Sequence, residues 1–406
     1  MIASMGILLI AGFAGARLAS KIHLPDLVGM LAAGILIGPF CLNLLSASFL
    51  DLSEDLRRIA LIIILIRAGF SLDLQVLKKV GRPALLLSFV PASFEIAAYT
   101  LLAPLLLGIS WLEATLMGTV MSAVSPAVVV PRMVKLNEEK SGTSQGIPQM
   151  MIAGSSCDDV YVLVLFSAFL SILQGEGFHA ENLLSIPVSI SSGILLGILT
   201  GYLFSKLLAF LQKSALKLSP ALAVVLVLGV SFLLNSAEEA LKPWFSLSGL
   251  LAILAMAASI RYFMNQKTVE EIASGTSALW SGAQIFLFVL VGAAIPVTAI
   301  ADSGLVLAIL ILCCLVIRSV GTWICVSGTH LNFHEKMFAV FSYLPKATIQ
   351  AAIGSVPLAA GLACGPIILA AAVTGILITA PLGAFLIDWS AKRWLKPESR
   401  NSARKV

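Results

Sequence analysis

Long apolar stretches separated by short polar segments dominate the chain. A helix that crosses a membrane needs about 20 mostly apolar residues, and thirteen segments meet this description. We label them spans a to m: a 2–20, b 25–45, c 57–72, d 83–107, e 112–134, f 147–173, g 183–211, h 218–235, i 245–260, j 276–296, k 303–327, l 334–356 and m 362–389. The pattern predicts an all-α polytopic membrane protein with thirteen transmembrane helices and a polar cytoplasmic tail at 391–406.

The composition excludes a soluble globular protein. Of the 406 residues, 59% are apolar and only 12% are charged, which is about half the charged share of an ordinary soluble domain. The loops between the spans are too short for a soluble domain, so any function must lie within the membrane. The net charge of +5 is too small to indicate a nucleic-acid partner.

The distribution of Lys and Arg predicts the orientation. If the N-terminus lies outside, 20 of the 26 basic residues fall on the cytoplasmic side and 3 on the opposite side. Cytoplasmic loops of membrane proteins carry such an excess of basic residues. We therefore expect the N-terminus outside and the C-terminus in the cytoplasm, in a membrane that we take to be the inner membrane of a prokaryotic cell.

The second half of the chain resembles the first at a shift of 223 residues. Residues 24–32 align with 247–255, and Glu95 aligns with Arg318. Spans b–f thus correspond to spans i–m, and copies that begin seven spans apart run in opposite directions through the membrane. This predicts inverted five-helix repeats, about 24–172 and 247–390, which are typical of secondary transporters.

Two spans carry a proline beside polar residues near their middle. Span e contains Ser122, Ser125 and Pro126, and span l contains Pro345 and Lys346. A mid-helix proline removes a backbone donor and disfavours helix at the preceding residue, so either a kink or an unwound segment can result. Because both breaks lie at matching repeat positions, we favour two discontinuous helices whose exposed carbonyls and half-helix ends can bind ions.

Six ionisable residues lie well inside spans. Each costs about 2.5–3.5 kcal/mol at a helix centre, so they must pair, become neutral or reach water. Glu95 and Arg318 have opposite charge at equivalent repeat positions, which predicts a structural ion pair. Lys346 is expected to compensate half-helix dipoles or a carboxylate, and a proton-carrying role stays open. Arg67 is expected to reach the cytoplasmic side or to pair with Asp73.

Asp158 and Asp159 are neighbours about eleven residues into span f. Adjacent helical residues point about 100° apart, so one can face a cavity while the other faces a neighbouring helix. Two carboxylates in a low-dielectric site favour the uptake of a proton, and Na⁺ can replace that proton because hard cations take oxygen ligands. We interpret the pair as a site for either ion.

Four segments resemble motifs of one family in the same order along the chain. They are 65–73, 123–131, 154–159 and 344–354, and the resemblance extends from about residue 24 to 390. These segments are similar to those of the monovalent cation/proton antiporter superfamily, and the closest branch is the NHA-type sodium/proton exchangers. The resemblance implies a homodimer with an elevator mechanism, in which spans e and l cross at mid-membrane.

The resemblance also implies a division of the chain. Scaffold and dimerisation helices would occupy 1–72 (spans a–c) and 218–296 (spans h–j), moving core helices would occupy 82–173 (d–f) and 303–390 (k–m), and 183–211 (g) would be the linker.

The family motif further assigns roles to site residues. Asp159 would be the principal Na⁺ ligand and Asp158 its partner, with Ser122, Ser125 or nearby backbone carbonyls adding oxygen ligands. Arg318 stands where some relatives carry a lysine, which favours electroneutral exchange.

The sequence therefore predicts a secondary antiporter, not an enzyme, that exchanges Na⁺ (or Li⁺) for H⁺. The functional residues would be Asp158, Asp159 and Lys346. No cofactor is expected besides the transported ions, and the partners would be these ions, membrane lipid and a second copy of the chain. Alternatives are a sodium-coupled organic-anion symporter of related fold, or a K⁺/H⁺ efflux antiporter or channel.

Overall fold

The chain is all-helical throughout the part described by the structure, a computed structural model. This part comprises residues 1–22, 24–71, 81–142, 146–175, 180–213, 219–241, 247–294 and 297–395. It contains no β-strand and eighteen helices: α1 Ile2–Lys21, α2 Asp26–Ile37, α3 Ala47–Leu50, α4 Ser53–Ser71, α5 Arg82–Leu87, α6 Val90–Leu107, α7 Trp111–Ser122, α8 Pro126–Glu138, α9 Ile147–Gln174, α10 Ala180–Lys213, α11 Pro220–Leu241, α12 Gly249–Phe263, α13 Gln266–Ala293, α14 Val297–Val326, α15 Phe333–Ser342, α16 Thr348–Ile353, α17 Val356–Ala359 and α18 Gly365–Trp394.

Among the described residues, nine helical stretches are long and apolar enough to cross a membrane. Shorter apolar helices occupy Asp26–Ile37, Gly249–Phe263 and Thr348–Ala359. Each predicted span a to m overlaps one or more helices. The prediction of an all-helical integral membrane protein is confirmed.

Several predicted boundaries differ from the observed ones for local reasons. Helix α2 ends at Ile37, although span b was predicted to continue to 45, because Gly38 precedes Pro39 and a residue before proline disfavours the helical conformation. Helix α13 begins ten residues before span j, because the Asn265 side chain accepts a hydrogen bond from the Thr268 N–H and so caps an earlier start. Helix α18 continues to Trp394, so the predicted tail at 391–406 begins inside a helix.

The helices pack as two sets with denser contacts within each set than between them. In one set α6 packs against α7 and α14, α9 against α7 and α8, and α18 against α14 and α15. In the other, α12 packs against α4, α10 and α11, and α13 packs against α1, α2 and α4. Helix α10 lies close to α12 because Gly197 and Gly201 face backbone carbonyls of α12, and Gly193 faces the carbonyl of Ser248, the residue that caps α12.

Candidate functional site

Two interruptions of helical structure lie at the centre of the first set. Helix α7 ends at Ser122 and α8 begins at Pro126. Helix α15 ends at Ser342 and α16 begins at Thr348. Pro126 occupies the first position of its helix, where a missing N–H costs nothing. Each predicted proline thus marks a break in helical structure.

The two interruptions contact each other directly. The backbone N–H of Ser125 donates to the carbonyl of Pro345 over 2.8 Å, and the Gln350 amide donates to the carbonyl of Ala123, also over 2.8 Å. The N–H of Lys346 donates to the Thr379 hydroxyl of α18. Backbone groups that lost their helical partners are therefore paired across the junction, as buried polar groups require.

Glu95 and Arg318 form the predicted ion pair, but they are part of a larger network. Arg318 Nη1 lies 2.9 Å from Glu95 Oε2, and Lys346 Nζ lies 2.8 Å from both Glu95 oxygens. Lys346 also donates to the carbonyl of Met121, and Arg318 donates to the carbonyls of Ser122 and Tyr343. All three charged side chains are fully buried. The carboxylate that compensates Lys346 is Glu95.

Asp158 belongs to the same network. Its Oδ2 lies 3.2 Å from Arg318 Nη2 and accepts a hydrogen bond from the Val124 N–H over 2.8 Å. The side chain is fully buried. Asp158 is thus held by one cation and by one backbone donor of the first interruption, while its Oδ1 has no hydrogen-bond partner among the described residues.

Asp159 has a different environment from its neighbour. It is 6% exposed, whereas Asp158 is not exposed at all, and its Oδ1 has no hydrogen-bond partner within the described ranges. Arg67 of α4 is close enough to interact electrostatically with Asp159, and its side chain is exposed within a helix that is otherwise buried from Ala60 to Phe70. Asp73, the predicted partner of Arg67, lies outside the described residues.

The two serines proposed as ligands differ in what they offer. The Ser122 hydroxyl donates to the carbonyl of Thr119, and its own carbonyl accepts from Arg318. The Ser125 hydroxyl is buried and has no hydrogen-bond partner in the described part of the chain. Ser125 Oγ can therefore accept a further ligand, whereas the hydroxyl and the carbonyl of Ser122 are already hydrogen-bonded to Thr119 and Arg318.

The charge of this cluster is unbalanced. Glu95, Asp158 and Asp159 contribute three negative charges when ionised, and Arg318 and Lys346 contribute two positive charges. The five buried groups carry one surplus negative charge in a low-dielectric region. The third basic residue inside the spans, Arg67, interacts with Asp159, but its side chain is exposed, so it is not one of the buried groups. Binding of one proton or one monovalent cation would make the cluster neutral.

Gln350 was not identified from the sequence as a site residue. Its amide donates to Ala123 O, which belongs to the same peptide group whose N–H donates to Asp158. A buried amide four residues after Lys346 was the available signal. Its partner could not be inferred, because that partner lies on another interrupted helix.

Comparisons with known proteins identify the class. The structure superposes on the sodium proton antiporter MjNhaP1 of Methanocaldococcus jannaschii with a TM-score of 0.78, covering 96% of this chain and 97% of that chain at 21% sequence identity. At this identity the similarity establishes the fold. The chain shares the fold of that sodium proton antiporter.

Sequence comparison establishes the family. The model of the transmembrane sodium/hydrogen exchanger family matches residues 6–392. The human sodium/hydrogen exchanger 9B2 is 35% identical over 398 residues, covering 94% of this chain and 72% of the relative. The Xenopus tropicalis sodium/hydrogen exchanger 9B2 is 34% identical over 418 residues, covering 97% and 75%. The chain belongs to the sodium/hydrogen exchanger family, whose members are membrane transporters and not enzymes, as the sequence predicted.

We expect Arg318→Ala to destabilise the protein strongly. The substitution leaves two buried carboxylates and two backbone carbonyls without their shared donor, and the loss of one partner of a buried ion pair costs about 3–5 kcal/mol. Thermal unfolding of the purified protein in detergent measures the effect.

Arg132→Ala is the matched control. Arg132 forms a bidentate pair with Asp388 at 3.0 and 3.2 Å, but the Asp388 side chain is 55% exposed, and such a surface pair contributes at most about 1 kcal/mol. Equal melting temperatures for the two variants would contradict a structural role for the buried network.

Proposed function

We propose that this chain exchanges Na⁺, or Li⁺, for H⁺ at the pair Asp158 and Asp159. The observation that carries the proposal is the surplus negative charge of a buried cluster in which Asp158 and Asp159 each have an oxygen without a hydrogen-bond partner among the described residues, and in which Asp159, at 6%, is the one acid with any exposure. A monovalent cation and a proton each neutralise this charge, so binding of one excludes the other. Such competition couples the two fluxes without ATP.

Asp159 is the principal cation ligand and Asp158 its partner in this proposal. Asp158 is already stabilised by Arg318 and the Val124 N–H, whereas Asp159 reaches the surface slightly and can accept an ion from water. Ser125 Oγ is a candidate additional ligand. Ser122 is a weaker candidate because its polar atoms are engaged elsewhere. Lys346 neutralises the charge of Glu95. We propose that it is a functional residue because this ion pair is part of the site.

Alternating access would be an elevator movement of the core helices, 82–173 and 303–390, relative to the scaffold helices, 1–72 and 218–296, in a homodimer. The separate packing of two sets of helices supports this division. The whole charged cluster lies on α6, α9, α14 and the second interruption, all in one set. A rigid core could therefore carry the bound ion without breaking the network.

The proposed topology has thirteen crossings with the N-terminus outside. It also has inverted repeats and two discontinuous helices that cross at mid-membrane. A cavity of about 300 Å³ supports the proposal that successive spans cross the membrane in alternating directions. Its lining residues include Arg57 near the start of α4, Gln174 at the end of α9, Glu238 near the end of α11 and Ser355 after α16. With the proposed alternation of the spans, these four helix ends lie on one membrane face, the outer one.

We further propose that exchange is electroneutral and needs no cofactor. Arg318 retains its charge and holds several acceptors, so it does not supply a second proton. One cation then replaces one proton. Location in a prokaryotic inner membrane stays a prediction. The symporter and the K⁺ efflux alternatives receive no support from the relatives described above, which are named as sodium/hydrogen exchangers or sodium proton antiporters.

Asp159→Asn is expected to abolish Na⁺/H⁺ exchange, because an amide cannot alternate between a bound cation and a bound proton. The measurement is dissipation of a pH gradient in proteoliposomes on addition of Na⁺, Li⁺ or K⁺. Asp388→Asn removes an aspartate from the surface pair with Arg132 and should retain exchange. Wild-type exchange by Asp159→Asn would refute the assignment.

An imposed membrane voltage should leave the initial exchange rate of the wild-type protein unchanged, because equal charge moves in each direction. The same proteoliposomes, with and without a potassium diffusion potential set by an ionophore, provide the measurement. Acceleration by one sign of voltage and slowing by the other would instead require unequal stoichiometry.

A further inference from the structure

Gln350 lies in the first turn of α16, directly after the second interruption, and its side chain is fully buried. Its Nε2 donates to the carbonyl of Ala123 over 2.8 Å and lies 3.4 Å from the carbonyl of Met121. Both oxygens are acceptors, so the amide nitrogen faces them and the amide oxygen points elsewhere. This side chain therefore connects the two interruptions through a donor of fixed orientation.

The Ala123 carbonyl belongs to a peptide group that also binds Asp158. The other half of this group is the Val124 N–H, which donates to Asp158 Oδ2 over 2.8 Å. The peptide is trans, so its carbonyl and its N–H point in opposite directions. Gln350 and Asp158 therefore lie on opposite sides of one peptide group and are joined by two hydrogen bonds in series.

This peptide group depends on partners outside the two flanking helices. It lies between the end of α7 at Ser122 and the start of α8 at Pro126. Both of its residues are fully buried, so bulk water does not replace a lost donor. A hydrogen bond to the carbonyl also polarises the peptide and strengthens its N–H as a donor. Gln350 thus fixes the direction of the bond to Asp158 and increases its strength.

We propose that Gln350 is a positioning residue for cation binding, which acts on Asp158 through the Ala123–Val124 peptide. The inference rests on the proposed function, in which Asp158 is the partner of Asp159 at the Na⁺ site. A group that orients a metal ligand changes the affinity of the site without touching the ion. Gln350 lies within the proposed core, 303–390, so this contact moves together with the site.

Gln350 differs in one useful way from the other group that binds Asp158. That group is Arg318, whose Nη2 lies 3.2 Å from the same carboxylate oxygen. Arg318 also binds Glu95 and two backbone carbonyls, so its substitution removes several contacts and one charge together. Gln350 is uncharged, and its described hydrogen bonds reach only backbone carbonyls. Its substitution therefore leaves every charge of the cluster in place.

Gln350→Met tests the proposal, because methionine keeps about the same side-chain volume and removes the donor. We expect KM for Na⁺ to rise about tenfold, at the lower end of the roughly 10–100-fold effect of such partners on metal affinity, since Gln350 acts on the partner ligand and not on Asp159. The maximal rate should stay near the wild-type value, as for a loss of binding alone. Initial rates of Na⁺-driven dissipation of a pH gradient in proteoliposomes, over a series of Na⁺ concentrations at one pH, give both constants.

Thermal unfolding in detergent provides a readout that does not require transport. Na⁺ bound to the folded protein raises its stability according to the ratio of the Na⁺ concentration to Kd. The rise in Tm should therefore begin at an about tenfold higher Na⁺ concentration in Gln350→Met than in the wild type. Choline chloride keeps the ionic strength constant across the series.

Gln149→Met is the matched control. Gln149 Nε2 also donates over 2.8 Å, to Asn137 Oδ1, and its Oε1, like that of Gln350, has no hydrogen-bond partner in the described ranges. This pair joins the start of α9 to the end of α8 and does not contact either interruption. Both KM for Na⁺ and the maximal rate should match the wild-type values.

Gln350→Asn is a second variant, which keeps the amide on a side chain that is one methylene shorter. It should raise KM by less than Gln350→Met does, and it provides the same test where the methionine variant does not fold. Failure of both variants to fold would make Gln350 a structural residue and overturn the proposal.

Two further results would overturn the proposal. One is an unchanged KM for Na⁺ in a folded Gln350 variant, with or without a lower maximal rate, because the residue would then act on stability or movement and not on binding. The other is an equal rise in KM in Gln149→Met. Wild-type protein that fails to exchange Na⁺ for H⁺ would instead refute the proposed function, which separates the two failures.

Discussion

The structure depends on the neutralisation of charges that cannot reach bulk water. Glu95, Arg318 and Lys346 are fully buried and hold one another at 2.8–2.9 Å. Any one of them alone would cost several kilocalories per mole in a low-dielectric interior. The backbone lowers part of this cost, because carbonyls that lack helical partners at the two interruptions accept hydrogen bonds from Arg318 and Lys346. The interruptions are therefore required for the network, and the network stabilises the interruptions.

The same arrangement explains how adjacent, chemically identical residues have different environments. Asp158 points toward Arg318 and the Val124 N–H, and Asp159, about 100° further around the helix, points toward a region with slight exposure. The Asp158 carboxylate is paired with Arg318, and the Asp159 carboxylate carries the surplus negative charge. In the proposed function a mobile ion neutralises the second carboxylate, because the buried side chains supply two cations for three acids and Arg67, which interacts with Asp159, is exposed.

Much of this arrangement could be predicted from the sequence. The matched prolines predicted the two interruptions, and the repeat alignment of Glu95 with Arg318 predicted their contact at 2.9 Å. Span edges were less predictable, because Asn265 and Gly38 act on helix ends through local hydrogen bonding and backbone preference. The partners of Lys346, Asp158 and Gln350 could not be predicted. These contacts join residues far apart in sequence, and their pairing depends on how the helices pack.

Under the proposed function, a fixed network with one surplus charge also limits what the core can transport. A divalent cation would leave the cluster with a positive charge, and an anion would add to the negative charge, so both are disfavoured by burial. A monovalent cation and a proton each give neutrality. Selection between these two then depends on the oxygen atoms around Asp159, since a proton needs one acceptor whereas Na⁺ needs several ligands. The Ser125 hydroxyl, which is buried beside the interruption and has no hydrogen-bond partner among the described residues, is the oxygen that the proposed function offers to a metal cation.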